Sequence, residues 1–176
     1  MPRLVPWSDQ AALEVFSDLD PHDWNEARIV TGAEPTSLSL WADWRAGRVH
    51  RYYDFVVLSA PSRGAQPFAV LGVSAGGATN VAQAALLTRV VKDWRRDIAK
   101  LAIGLRDAFE LWAELDGLHR IEARSWAGHP TGGDLLKACG LSWEASLSGF
   151  GADGEERFEQ HAWASTPKAP RPWDKN

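Results

Sequence analysis

The sequence predicts one α/β domain built around a largely antiparallel sheet, and three observations carry that prediction. Residues 52–59 and 68–74 are rich in aromatic and β-branched side chains and flank the turn material Pro61, Ser62, Arg63 and Gly64. Ile98, Leu101, Leu105, Phe109, Trp112 and Leu115 recur at steps of three and four and mark one face of a long helix. Residues 143–148 and 157–164 make a closing pair of strands around a glycine-containing loop at 149–156.

The other elements follow in order. Residues 2–7 can form a short first strand. Ser8 is the expected N-cap of a helix carrying Ala12, Leu13, Val15, Phe16 and Leu19, which Asp20 and Pro21 end. Helical character resumes irregularly from about His22 to Ala46, broken near Gly32 and Pro35, with Leu38, Trp41 and Trp44 at roughly helical spacing and Gly47 closing it. The strands at 52–59 and 68–74 pair as an antiparallel hairpin, and a turn centred on Gly76 and Gly77 leads into a third strand over 81–89. Asp93 is the expected cap of the long helix. Arg106 and Glu110 support its solvent face, and Asp116 and Gly117 stop it. A strand at 118–126 and a turn through Gly128, His129 and Pro130 precede a short helix at 131–138, with Gly140 as its left-handed cap.

At 176 residues and 19.4 kDa the chain can bury one sizeable core. The expected organisation is one domain over residues 1–164 and a Pro-rich tail over 165–176, extended by Pro167, Pro170 and Pro172 as far as Trp173. A hydrophobic fraction of 45% with 24% charged residues is that of a globular protein. A formal charge of -4 and a pI near 5.7 disfavour a nucleic-acid partner, which needs a basic footprint. Cys139 is the only cysteine, so an intrachain disulfide and a multi-thiolate zinc site are excluded. No apolar signal core follows Met1 and no apolar run reaches spanning length, so a soluble, cytoplasmic protein is expected. Ten tryptophans are the compositional outlier, serving either as core filler or as anchors for a partner.

The element order resembles that of the GNAT (acyl-CoA N-acyltransferase) superfamily. The strand HRIEARSW at 119–126, the helix DLLKACGL at 134–141 and the hairpin opening WEASL at 143–147 are similar to the C-terminal half of the ribosomal-protein alanine acetyltransferases. Gly140 and Leu141 stand where the superfamily carries a Gly-Phe pair. The resemblance implies a GNAT-like α+β fold with a mixed, mainly antiparallel sheet and helices on both faces. It also implies that the fourth and fifth strands splay apart around acetyl-CoA, whose pyrophosphate sits on a Gly-rich loop and the N-terminus of the long helix.

The corresponding loop here runs Val90, Val91, Lys92, Asp93, Trp94, Arg95, Arg96, Asp97, Ile98 and has no glycine to let a phosphate approach the backbone. If acetyl-CoA binds, Val90, Val91, Arg95 and Arg96 are the residues placed to hold it, the guanidinium groups standing in for missing loop contacts. Alternatively, Arg95 and Arg96 are solvated residues of a surface helix. Leu136 stands where many of these enzymes carry a tyrosine acid, and 81–87 offers no carboxylate base, so no catalytic residue is assigned. Glu34, His50 and Asp54 are weak substitutes. His129 stands where the alanine acetyltransferases usually have asparagine, as a base beside the cleft, or else as a cap of the short helix or a solvent-facing residue. His22, His119 and His161 lack ligand spacing, and no metal site is expected.

Residues 66–89, with PFAVLGVSAGG before a strand ending in threonine, and the Arg- and Lys-rich long helix with its Arg106–Asp107 pair and no glycine loop are similar to the GNAT-like proteins of podophages. That resemblance implies a non-catalytic structural or accessory protein without a cofactor, virion-associated or used in assembly. It would bind protein partners in a virion formed in the host cytoplasm, with Trp173 of the tail as a candidate anchor. The alternative is a divergent acetyl-CoA-dependent N-acetyltransferase acting on a protein N-terminus or a small amine.

Overall fold

Strand-forming side chains in the middle of the chain are buried on both sides, because helices cover both faces of the sheet they form. The computed structural model describes residues 1–165. Its elements are β1 (Arg3–Pro6), α1 (Asp9–Phe16), α2 (Pro21–Thr31), α3 (Ser37–Ala46), β2 (Arg51–Leu58), β3 (Pro67–Ala75), β4 (Val81–Thr88), α4 (Val91–Asp116), β5 (Arg120–Trp126), α5 (Gly132–Ala138), β6 (Ser142–Phe150) and β7 (Glu156–Ala164). They form one seven-stranded sheet in the order β1-β2-β3-β4-β5-β7-β6. Every neighbouring pair is antiparallel except β4 with β5. Trp173 and the rest of the predicted tail beyond residue 165 lie outside the described residues.

Val56 and Val70 face one way, against Ala12, Val15 and Phe16 of α1 and Leu40 and Trp44 of α3. Val57, Leu71 and Val73 face the other way, against Leu101, Leu105, Phe109 and Trp112 of α4. The periodic face of α4 meets strand aromatics, and Trp112 stacks on Tyr53 with ring centroids 4.5 Å apart and on Phe55 at 5.7 Å. Trp44, Trp94 and Trp112 are buried, so core filling accounts for part of the tryptophan content. No described helix is long and apolar enough to cross a membrane.

Several boundaries differ from the sequence expectation, each for a tertiary reason. Helix α1 ends at Phe16, and Leu19 forms an isolated antiparallel bridge with Arg89 instead of a helical turn. The 22–46 region is two helices. Gly32, at φ 69°, closes α2 in the left-handed conformation glycine adopts without strain, and a capping box of Thr36 and Ser39 opens α3. In α3, Leu40 and Trp44 turn inward while Leu38 stays exposed. Asp93 does not cap α4, which starts two residues earlier at Val91 and has no side-chain cap from Val90. Leu115, expected on the core face, is 69% exposed. The chain reverses at Gly117, the Leu118 amide bonds back to the Ala113 carbonyl at 2.8 Å, and Leu118 takes the core position.

Candidate functional site

The parallel pairing of β4 and β5 lasts only from Val81 to Gln83 against Arg120 to Glu122, and then the strands part. A gap in a sheet strands main-chain N–H donors, and buried donors must find other acceptors. Helix α2 supplies them. Asp23 accepts the Thr88 amide at 2.7 Å and the Thr88 hydroxyl at 3.2 Å on the β4 side. Glu26 accepts the Trp126 amide at 2.6 Å on the β5 side. Three residues apart, these two carboxylates share one helix face. Asp20, the N-cap of α2, accepts the His22 amide at 3.0 Å with one oxygen and the Val91 amide at 2.9 Å with the other. A ridge of three carboxylates thus joins α2 to β4, to β5 and to the start of α4.

Crowding of acids in a poorly solvated gap has an electrostatic consequence. Burial raises the Glu26 carboxyl from 4.5 to about 7, the Trp126 amide partly offsets this, and Asp23 adds to the rise. His129 lies beside the pair, with Nε2 3.4 Å from Asp23 Oδ1 and Nδ1 accepting the Thr131 amide at 3.2 Å. Its ring packs on His22 with centroids 5.1 Å apart. Burial lowers the His129 pKa, but the bond to Asp23 and the charges of Asp23, Glu26 and Asp20 outweigh burial and leave it above 6.5.

Two cavities open at the gap. One, of about 350 Å³, is lined by Glu26 and Val30 of α2, Gln83 to Leu87 of β4, Glu122 to Arg124 of β5, and Phe150 and Phe158. The other, of about 280 Å³, runs between α4 and α5 along Val91, Arg95, Ile98, Ala99, Ala102, Thr131, Asp134, Leu135 and Ala138, with Asp23, Thr88 and His129 at its wall. Gly132 sets the position of α5, because a Cβ there would lie 2.8 Å from Ser125 Cβ. Leu136 and Cys139 fill the interior between the helices. Burial pushes the Cys139 thiol up to about 12, which removes it as a nucleophile at neutral pH.

The structure brings some sequence-predicted residues to this region and leaves others elsewhere. Val91 and Arg95 line the α4–α5 groove, Val90 donates to the Asp18 carbonyl at 3.3 Å, and Arg96 is exposed outside the groove lining. Glu34 accepts from Trp24 Nε1 at 3.3 Å and lines a separate recess with Asp153 and Glu156. Asp54 is tied to Trp44 Nε1 at 3.0 Å and to Arg48 and Arg51 at 2.5 and 3.0 Å, and His50 ends a short 3-10 turn. His119 is exposed and His161 is buried. Among the described residues no three His, Cys, Asp or Glu side chains converge as a metal site requires. Sequence reasoning missed Asp20, Asp23 and Glu26. Their i, i+3, i+6 spacing was the available signal, but it matches any solvated helix face.

No protein-family model matches the sequence, and no curated protein matches it. Solved structures do match. A GNAT-family acetyltransferase from Bacillus anthracis superposes with a TM-score of 0.70 over 93% of this chain and 94% of that one, at 8% identity. The fold is that of the GNAT acetyltransferases. The ribosomal-protein-S18-alanine N-acetyltransferase of Escherichia coli matches with a TM-score of 0.65 over 97% of this chain and 98% of that one, at 12% identity. Spermidine N-acetyltransferase from Vibrio cholerae, in complex with CoA and spermine, matches with a TM-score of 0.64 over 93% and 95%, at 13% identity. At such identities the likeness is one of fold.

Acetyl-CoA, which a GNAT fold implies, fits these residues only in part. The groove along Ile98, Ala99, Ala102, Leu135 and Ala138 is apolar enough for a pantetheine arm. The nucleotide end does not fit, because the first amide of α4 already donates to Asp20 and a pyrophosphate there would meet a carboxylate.

Proposed function

We propose that this chain is a divergent N-acyltransferase of GNAT type, moving an acyl group from a thioester to the amine of a protein N-terminus or a small molecule in the β4–β5 cleft. The carrying observation is Glu26, a carboxylate lining that cleft with its pKa near 7. A base poised near the working pH combines a large deprotonated fraction with useful basicity, which is what removal of an ammonium proton needs. It supplies from α2 the group that residues 81–87 lack. Glu26 takes one proton from the ammonium, the freed lone pair attacks the thioester carbonyl, the N–C bond forms and the C–S bond breaks. With Leu136 unable to donate, the second amine proton reaches the leaving thiolate through solvent. Asp23 and His129 hold the wall of the cleft in place. The test is amine-dependent thiol release from acetyl-CoA and acetyl-phosphopantetheine, offered with peptide N-termini and small amines. Glu26→Gln should lower kcat by about 10² to 10⁴. No thiol release from either donor would sink the enzyme.

One observation favours a second function, a non-catalytic GNAT scaffold for protein partners: Asp20 already fills the start of α4. The virion-associated or assembly role, without a cofactor and with Trp173 as anchor, follows from the podophage resemblance. A cytoplasmic site of action is compatible with both functions. Melting with acetyl-CoA or acetyl-phosphopantetheine separates them. Either donor at about 100 times its Kd adds about 2.7 kcal/mol, or about 5 to 10 °C for a domain this size, and a scaffold shows no shift with either.

A further inference from the structure

We infer that Asp20 sets the donor class of the cleft: it excludes the nucleotide of CoA and leaves room for a thioester on a pantetheine arm with no more than one phosphate. The inference rests on the acyltransferase function proposed above and concerns which thioester that site accepts.

Asp20 is 5% exposed and both of its carboxylate oxygens are engaged, one by His22 N–H and the other by Val91 N–H. Its backbone is fixed as well. The Asp20 amide donates to the Thr88 carbonyl at 2.8 Å, the Val90 amide donates to the Asp18 carbonyl at 3.3 Å, Leu19 bridges Arg89, and Arg89 pairs with Asp18 at 2.8 Å. The carboxylate is therefore built into the junction of β4 and α4. An anion arriving at that helix start would lose the Val91 amide as a donor and gain a buried like charge as a neighbour.

The groove beyond Asp20 is different in character. It is mostly apolar along α4 and α5, and Arg95 is the permanently cationic residue of a lining that also carries Asp23, His129 and Asp134. An uncharged pantetheine arm fits that lining, and Arg95 can meet a single phosphate at the arm's end. The shared chemistry is a phosphopantetheine thioester, free or carried on a protein.

Calorimetric titration of the full chain with CoA, 4′-phosphopantetheine and 3′-phospho-ADP, the nucleotide half of CoA, decides the matter. The wild-type protein should bind phosphopantetheine at least as tightly as CoA and should not bind the nucleotide half. Asp20→Asn and Asp20→Gly, both tolerated at helix N-caps, should gain nucleotide binding and shift the CoA-to-phosphopantetheine affinity ratio toward CoA by about tenfold or more. Wild-type preference for CoA by about tenfold would overturn the inference. So would an unchanged ratio and no nucleotide binding in both variants, with folding verified by circular dichroism. If the wild-type chain releases no thiol from any donor, the acyltransferase function fails, while nucleotide binding gained or not gained by the Asp20 variants still decides the role of Asp20. Comparing acetylated acyl carrier protein with free acetyl-phosphopantetheine as donors tells the protein-borne source from the free one.

Discussion

Glu26 keeps a carboxylate in a place where water cannot fully solvate it, and the stability of the whole domain registers that choice. Its pKa is about 7 in the folded chain against 4.5 for an unperturbed group. Between those values the folded state holds a proton that the unfolded state has lost. Stability therefore falls as pH rises from about 4.5 to about 7 and the contribution is flat above that window. The size is about 3 kcal/mol. Urea unfolding of wild type and Glu26→Gln at pH 5 and pH 8 checks it: the variant should gain on the wild type as pH rises, and parallel profiles would refute the burial of this group. Asp23 works differently. It satisfies two donors of Thr88, so Asp23→Ala leaves a buried amide and hydroxyl without an acceptor. A loss of about 1 to 3 kcal/mol is expected, seen as a drop in Tm of about 2 to 4 °C for each kcal/mol.

At the scale of elements, α4 and the β2–β3 pair are legible in the sequence because their own side chains form the core, so periodicity and burial report the same thing. Helix α2 is not legible in that way. Asp20, Asp23 and Glu26 read locally as a solvated face, and only the parting of β4 from β5, some 60 to 100 residues away in the chain, turns them inward. The cap of α4 shows the same limit. Asp93 has the right residue type within the first turn, yet the carboxylate that meets the Val91 amide comes from Asp20, 71 residues earlier. Helix α5 was legible in position but not in its closeness to β5, which depends on Gly132. Gly132→Ala should push α5 off Ser125, cost about 1 to 3 kcal/mol and loosen the groove. Amide hydrogen exchange across Gly132 to Ala138 should accelerate in that variant, and unchanged protection would show that α5 can shift without loss.

For the whole molecule, a GNAT sheet opened between β4 and β5 provides a cleft, and α2 replaces the strand pairing lost there with carboxylates. The same replacement places a raised carboxyl at the cleft wall and a fixed acid at the start of α4. Missing glycines and the missing tyrosine were visible in the sequence as absences. What stands in their place became visible only when α2 was laid across the gap. The central claim is that Glu26 is the base for acyl transfer to an amine. The pH dependence of kcat/KM for thiol release, measured with a donor and an amine that turn over, tests it most directly. An ascending limb with an apparent pKa near 7 that vanishes in Glu26→Gln is predicted; a rate that is unaffected by the substitution, or that rises only with the titration of the amine itself, would contradict it.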